Sequence, residues 1–351
     1  MLRNPSLNTA AIAPDAMHGL HGGLCLFAMP CLRPQSVPIQ CSLVVAVDLD
    51  GVLVDSAPEA TRLAWRTASR LWPSVMEECA DVERVMDDAA YAERRRLGGR
   101  PLLGTAEDGM PSWFAAKMRL LHPLVHDEYE SLLLARLCAE EASSSDARKR
   151  PLTVGEIGAN WGSDLREMLL ARYGLHEAEA RRQCEATREQ WLAKDSDGWV
   201  DSHGGGYGSV MRIMREALSS GRDGTFASSQ PLVYILTSRE VQHAQRILRR
   251  EGIELSDERV LGELRPPEEK REALAALRLR HSEDTLRIVD DDAELLRLVA
   301  ADPRLFSAQL FFAAWGHSKV DGEATVASMP RVRSLKESAR LDVVLLEPDG
   351  P

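Results

Sequence analysis

The chain has 351 residues, which is enough for one large domain or two ordinary ones. Hydrophobic residues make up 44% of the chain and charged residues 28%, as in typical globular proteins. The formal net charge of −11 disfavours general binding to nucleic acids or to membrane surfaces, and no apolar run approaches the roughly 18 residues of a membrane span.

The N-terminal segment, residues 1–42, differs in composition from the rest of the chain. It contains two basic residues, Arg3 and Arg33, and one acidic residue, Asp15. Low acid content is typical of organelle transit peptides, such as those for the chloroplast, but a disordered tail explains the segment equally well. The six cysteines form no CxxC pair, so we expect a reducing compartment, and the cytoplasm if the segment is not a targeting signal.

Short apolar runs separated by helical patterns predict an α/β fold. The run from Leu43 to Val47 contains three valines and is typical of a buried strand in a parallel sheet. Further strands are predicted at 232–236, 285–289, 308–312 and 342–346, with a weaker one at 260–264. Helices are predicted between them at 210–218, 240–251, 268–280 and 293–300. This alternation indicates a doubly wound parallel sheet.

The long interval from residue 57 to residue 205 shows no clear strand pattern. It contains amphipathic stretches at 129–140, 163–172 and 177–193, together with six of the seven tryptophans. We therefore predict three parts: a tail or transit peptide at 1–42, an α/β core formed by 43–56 and 206–351, and an inserted helical cap at 57–205. The tryptophans are expected to lie in the core of the cap.

Two carboxylates follow the first predicted strand. Ligands of an open parallel sheet bind at the carboxyl ends of its strands, and residues two apart in an extended segment point the same way. Asp48 and Asp50 are therefore expected to face one cleft, where their like charges require compensation. Mg²⁺ would supply that charge, since it prefers carboxylate oxygens, water and phosphate oxygens. Gly51 would allow a sharp turn and leave room for a ligand.

At these residues the chain resembles the haloacid-dehalogenase-like superfamily, most of whose members are Mg²⁺-dependent phosphatases. The four motifs of that superfamily have candidates in order: the segment 48–52 (DLDGV), Thr237, Lys270 and the pair Asp290-Asp291. The resemblance implies a Rossmann-like core with an inserted helical cap. The segment 309–318 (QLFFAAWGHS) and the predicted strand near Val344 are similar to an uncharacterised plant and algal branch of the superfamily.

The resemblance also implies a role for each motif residue. Asp48 would be the nucleophile, and Asp50 would be the general acid and base. Thr237, Ser238 and Lys270 would bind the phosphoryl group. Asp48, Asp50 (through its carbonyl oxygen) and Asp291 would hold Mg²⁺.

Two neighbours of that metal set are further candidates. Asp290 and Asp292 would be additional metal ligands or would support the ligands. Asp292 departs from the more usual Ser or Arg of the family and adds negative charge near the metal.

Structural interpretations of the same residues remain open. Thr237 can be an ordinary strand-end hydroxyl, Lys270 a solvated residue of a charged helix, and the acidic run 290–292 a helix N-cap. A polar cluster in the predicted cap would face the substrate or simply begin a solvated helix; it comprises Arg119, His122, His126, Glu128 and Tyr129.

The expected partner is a small phosphorylated metabolite, with neither nucleic acid nor membrane involved. The main functional alternatives are a phosphomutase of the same fold and a catalytically silent interaction protein. A dehalogenase is disfavoured, because it would not need the acid at Asp50.

Overall fold

The structure is a computed structural model that describes residues 42–80, 109–143, 151–219, 230–317 and 322–346. The chain from residue 41 onward forms one compact unit. Among the described residues, no helix has the length and apolar character needed to span a membrane. The N-terminal segment 1–41 lies outside the described residues, so the targeting interpretation stays a prediction.

The described residues form a sheet of six parallel strands, in the order β3-β2-β1-β4-β5-β6. The chain adds strands on one side of β1, then crosses to β4 and adds strands on the other side. This is the doubly wound arrangement that the sequence predicted, with its switch point beside β1. The strands are β1 Leu43–Asp48, β2 Leu232–Leu236, β3 Val260–Leu261, β4 Thr285–Asp290, β5 Gln309–Ala313 and β6 Val332–Leu335.

The sheet is buried on both faces because helices cover each of them. Along β1, Val45 and Val47 pack into one apolar layer, whereas Val44 and Ala46 pack into the opposite layer. All four side chains are inaccessible to solvent, which explains why this strand is a continuous apolar run. The covering helices are α9 Gly208–Ser219, α10 Val241–Arg250 and α14 Leu341–Leu345 on the first face, and α11 Pro267–Arg280, α12 Ala293–Ala301 and α13 Gly322–Ala327 on the second.

The described part of residues 57–205 is helical and contributes no strand to the sheet. Helix α1 packs against α2, α4 and α7, and five of the six tryptophans of this segment are buried. Its apolar interior is continuous with one face of the sheet, and the division into core and cap stays a prediction. The helices are α1 Ala57–Leu71, α2 Pro73–Ala80, α3 Ser112–Leu121, α4 Glu128–Ser143, α5 Val154–Asn160, α6 Arg166–Tyr173 (after a π-helical turn, Trp161–Leu165), α7 Glu177–Lys194 and α8 Ser196–Ser202.

The strand predicted at residues 342–346 is wrong, because this segment is helix α14. Its buried residues Leu341, Val344 and Leu345 follow helical spacing, which a five-residue apolar run does not reveal. The buried guanidinium of Arg287 on β4 donates to the carbonyl oxygens of residues 343 and 344, at 3.3 and 2.8 Å. A cation at the last carbonyls stabilises a short helix. The sixth strand is instead Val332–Leu335.

Candidate active site

The carboxyl ends of three neighbouring strands bring the sequence motifs together. Asp48 ends β1, Thr237 follows β2, and Asp290 ends β4. Lys270 lies in the first turn of α11, which begins at Pro267, a residue suited to the start of a helix. All four motif positions therefore lie at the switch point of the sheet.

Asp48 and Asp290 share one cation. Lys270 Nζ donates to Asp48 Oδ1 at 2.8 Å and to Asp290 Oδ2 at 3.3 Å. Burial lowers the pKa of Lys270, but Asp290 and Asp48 more than offset that effect and hold the pKa above its ordinary value. The lysine therefore stays protonated between the two carboxylates and is not a solvated helix residue.

Three buried carboxylates converge at this point with one lysine between them. One oxygen each of Asp48, Asp290 and Asp291 lie within 4.8 Å of one another. Burial and the neighbouring Asp290 raise the pKa of Asp291 to about 7. Burial also raises the pKa of Asp48 well above its ordinary value, although Lys270 opposes the shift. This excess of negative charge and oxygen donors fits a divalent cation such as Mg²⁺.

Two glycines make room for the carboxylate of Asp291. A Cβ atom at Gly51 would lie 2.2 Å from Asp291 Oδ2, and one at Gly316 would lie 2.3 Å from the same atom. Gly51 also has a φ of +86°, which favours glycine. The sequence predicted that Gly51 permits a sharp turn, and the structure adds that the space beside it is filled by Asp291.

Asp50 lies apart from this cluster and pairs with Arg239. Arg239 Nε donates to Asp50 Oδ1 at 3.0 Å and to Oδ2 at 3.1 Å. Burial raises the pKa of Asp50, but the positive charge of Arg239 outweighs it and the net shift is downward. The carboxylates of Asp48 and Asp50 are thus stabilised by different cations.

Sequence reasoning missed Arg239, although it lies two residues after Thr237 in the second motif. Its guanidinium also donates to Glu59 Oε2 on α1 at 3.2 Å. Glu59 is 1% exposed and accepts a further bond from Trp199 Nε1 at 3.0 Å. Burial raises the pKa of Glu59, but Arg239 and Arg188 hold it well below its usual range. A buried ionic network therefore links Asp50 to the helical segment.

Thr237 is fully buried and its hydroxyl lies against Asp50. Thr237 Oγ1 donates to Asp50 Oδ2 at 3.3 Å and accepts from the Arg239 amide at 3.1 Å. Ser238 lines the adjoining cavity.

Asp292 caps α12, because its Oδ1 accepts from the Glu294 amide at 2.8 Å. In the acidic run 290–292, Asp292 is therefore a helix cap, which is one of the two interpretations that the sequence left open. Asp290 and Asp291 instead belong to the carboxylate cluster.

A cavity of about 380 Å³ lies between this edge of the sheet and the helical segment. The residues that the α/β sheet region contributes to its lining include Lys270, Asp291, Ser238 and Arg239. Of the cluster predicted in the cap, three members line the cavity: His122, His126 and Glu128. The other two do not line it: Arg119 pairs with Asp55 at 2.7 Å, and Tyr129 is buried in the apolar core.

No protein-family profile matches the chain, and no curated protein matches it. Solved structures that match include a "putative phosphoglycolate phosphatase" from Lactobacillus delbrueckii subsp. bulgaricus, at 14% identity and a TM-score of 0.39, covering 88% of this chain and 100% of that chain. A structural-genomics target matches at 13% identity and a TM-score of 0.40, covering 87% of this chain and 99% of that chain. Both likenesses are distant.

Proposed function

We propose that this protein is a Mg²⁺-dependent phosphatase of the haloacid-dehalogenase-like superfamily. In this proposal it hydrolyses a small-molecule phosphomonoester through an aspartyl-phosphate intermediate on Asp48. The observation that carries the proposal is the convergence of Asp48, Lys270, Asp290 and Asp291 at the switch point of the sheet, where Lys270 and Asp291 also line a cavity. A nucleophile, a cation and a metal-type carboxylate cluster are the groups that phosphoryl transfer needs.

Asp48 is the proposed nucleophile. Its Oδ1 is bound to Lys270 Nζ at 2.8 Å, which fixes the carboxylate and leaves Oδ2 for attack on phosphorus. The P–O bond to the leaving alcohol breaks as the Asp48–phosphorus bond forms. Lys270 neutralises charge on the carboxylate and on the incoming phosphate, so the approach of two anions does not oppose the reaction.

Asp50 is the proposed proton carrier. The guanidinium of Arg239 holds it as a carboxylate, which is the form that takes a proton from the water attacking the aspartyl-phosphate. Protonation of the leaving oxygen requires that Asp50 first take up a proton, and Arg239 opposes this. The arrangement therefore favours Asp50 as a general base over Asp50 as a general acid. It also favours substrates whose leaving oxygen needs little protonation.

The carboxylates of Asp48 and Asp291, together with the Asp50 carbonyl oxygen, are the groups proposed to hold Mg²⁺, with Asp290 as a neighbour. When bound, the ion supplies charge compensation for the phosphoryl oxygens. Lys270 and the amide of Ser238 are proposed to bind the remaining phosphoryl oxygens. The fully buried Thr237 is proposed to help by orienting Asp50 and the turn that carries Ser238.

The cavity is proposed to accept a small phosphorylated metabolite. Its volume of about 380 Å³ lies at the lower end of the range for small-molecule sites. The helical segment contributes His122, His126 and Glu128 to the lining, together with apolar side chains such as Leu63 and Val125. A polar organic group attached to the phosphate matches such a lining.

A panel of phosphomonoesters assayed with Mg²⁺ tests the proposal. We expect phosphate release from at least one substrate, loss of turnover in excess EDTA, and loss of turnover in Asp48→Asn. Asp284→Asn is the matched control, because Asp284 pairs with His281 outside the site; its turnover should equal that of the wild type. Full activity in EDTA would contradict the metal requirement, and an isomerised phosphate ester without phosphate release would identify a phosphomutase.

A further inference from the structure

The loop after β5, residues 314–317, donates a hydrogen bond to the candidate metal ligand Asp291. The backbone amide of His317 donates to Asp291 Oδ2. This contact leaves the other carboxylate oxygen of Asp291 for a cation. The orientation of Asp291 thus depends on where the backbone of this loop lies.

Two side chains tie the same loop to the segment that follows β1. Trp315 Nε1 donates to the Val52 carbonyl oxygen at 3.1 Å. His317 Nε2 lies 3.0 Å from Asp55 Oδ1. The imidazole of His317 also packs edge-on against that of His122, with ring centroids 4.6 Å apart. The side chains of Trp315 and His317 therefore both hold the loop against the segment that follows β1.

The pair of His317 and Asp55 has a defined direction of donation. Burial raises the pKa of Asp55, but hydrogen bonds from His317 and Arg119 lower it well below its usual range, so Asp55 is ionised. An ionised carboxylate accepts hydrogen bonds and cannot donate them. His317 Nε2 must therefore carry a proton and donate it to Asp55. Arg119, at 2.7 Å, fixes the second oxygen of the same carboxylate.

We propose that His317 is a positioning residue for the metal centre: its side chain, held by Asp55, fixes the backbone amide that orients Asp291. The inference rests on the metal site of the proposed function and adds a residue to which neither the motifs nor the resemblance gave a role. His317 contacts a proposed ligand through its backbone and acts through that ligand. Partners that orient metal ligands in this way typically change metal affinity by 10–100-fold when they are mutated.

Titration calorimetry of the metal-free full-length protein with Mg²⁺ tests this role. We expect His317→Ala to raise the dissociation constant for Mg²⁺ by about 10-fold or more, with a thermal unfolding midpoint near that of the wild type. His317→Gln retains an N–H donor of similar reach and should recover part of the affinity. His281→Ala is the matched control, because His281 forms a comparable pair with Asp284, at 3.1 Å, away from the site.

Activity provides a second measurement. In His317→Ala, the Mg²⁺ concentration for half-maximal activity should rise, while excess Mg²⁺ should restore kcat. If His317→Ala does not fold, Asp55→Asn, which weakens the same pair, takes its place. Wild-type Mg²⁺ affinity in a folded variant would overturn the positioning role alone. Absence of Mg²⁺ binding by the wild type would overturn the metal site, and this inference with it.

Discussion

Arg239 forms an ion pair with Asp50 in which one nitrogen atom, Nε, lies 3.0 and 3.1 Å from the two carboxylate oxygens. The same guanidinium reaches Glu59 on α1 at 3.2 Å. One buried cation thus serves two carboxylates, one in the first motif and one in the helical segment. Removal of Arg239 would leave the buried Glu59 with Arg188 alone, at 3.6 Å, so the network offers a direct test of the arrangement.

We predict that Arg239→Ala destabilises the protein by about 3 kcal/mol, the lower end for a broken buried pair, since the buried Glu59 keeps only Arg188, at 3.6 Å, and the partly exposed Asp50 loses its cation. Combining it with Glu59→Gln should cost less than the sum of the two single changes. Urea unfolding measures the free energy of unfolding of Arg239→Ala, of Glu59→Gln and of the double variant. Arg250→Ala is the control, because the ion pair of Arg250 with Asp201 is exposed and should contribute about 0–1 kcal/mol. If Arg239→Ala lowered the free energy of unfolding as little as Arg250→Ala does, the result would contradict a stabilising role for the network.

Gly316→Ala should weaken Mg²⁺ binding by about 10–100-fold while leaving the fold intact. The reason is local, because the new Cβ atom would lie 2.3 Å from Asp291 Oδ2 and would push this carboxylate aside. Mg²⁺ titration of the metal-free variant measures the effect. Gly155→Ala is the matched control, since its Cβ atom would meet nothing within 4 Å. Unchanged affinity in Gly316→Ala would contradict the proposed role of Gly316 in leaving room for a metal-binding Asp291.

The sequence was sufficient to predict the doubly wound sheet and the positions of Asp48, Asp290 and Asp291 at its edge. Each of these acids directly follows or ends an apolar run, and strand ends of a parallel sheet meet at one edge. Local pattern and topology together therefore determine where these residues lie.

The partners of these residues were not predictable in the same way. Glu59 and Arg239 are 180 residues apart in the chain, and no local pattern indicates that a buried glutamate on α1 pairs with a strand-end arginine. His317 lies in the segment 309–318 that was noted for its resemblance, but its link to Asp55 spans 262 residues. Pairings of this kind depend on how the helices pack on the sheet.

The C-terminal error has a different physical origin. The run at 342–346 is short and apolar, and at that length a buried strand and one turn of buried helix look alike. Tertiary contacts decide between them, here the hydrogen bonds from Arg287 to the last carbonyl oxygens of α14. The actual edge strand, β6, has exposed residues at its two central positions and lacked a clear apolar signal.

His203 should make folding stability depend on pH. Burial, together with the nearby Arg239, lowers the pKa of His203 to about 4 in the folded protein, against about 6.5 when unfolded. Between these values the unfolded chain binds more protons, so stability falls as pH decreases from about 6.5 to about 4. The loss attributable to His203 is on the order of 3 kcal/mol at the acid end.

Urea unfolding of the wild type and of His203→Gln at pH 7.5, 6, 5 and 4.5 measures this contribution. The difference in stability between the two proteins should shrink as the pH falls, because glutamine has no proton to gain. His176→Gln is the control for the substitution itself, since His176 is exposed at the start of α7. A constant difference between wild type and His203→Gln across this range would show that His203 does not titrate in this way.

Substitution of the two aspartates of the first motif should block different steps of the proposed reaction. Asp48→Asn removes the proposed nucleophile, so no phosphoenzyme and no product should form. Asp50→Asn retains the nucleophile but loses the proton carrier, which should slow turnover by roughly 10²- to 10⁴-fold. With p-nitrophenyl phosphate the leaving group needs little protonation, so this variant should still be phosphorylated and then stall. Rapid-mixing measurements should show a burst of p-nitrophenol for Asp50→Asn and none for Asp48→Asn. Identical traces for the two variants, or wild-type turnover in Asp48→Asn, would refute the assignment of roles to this pair.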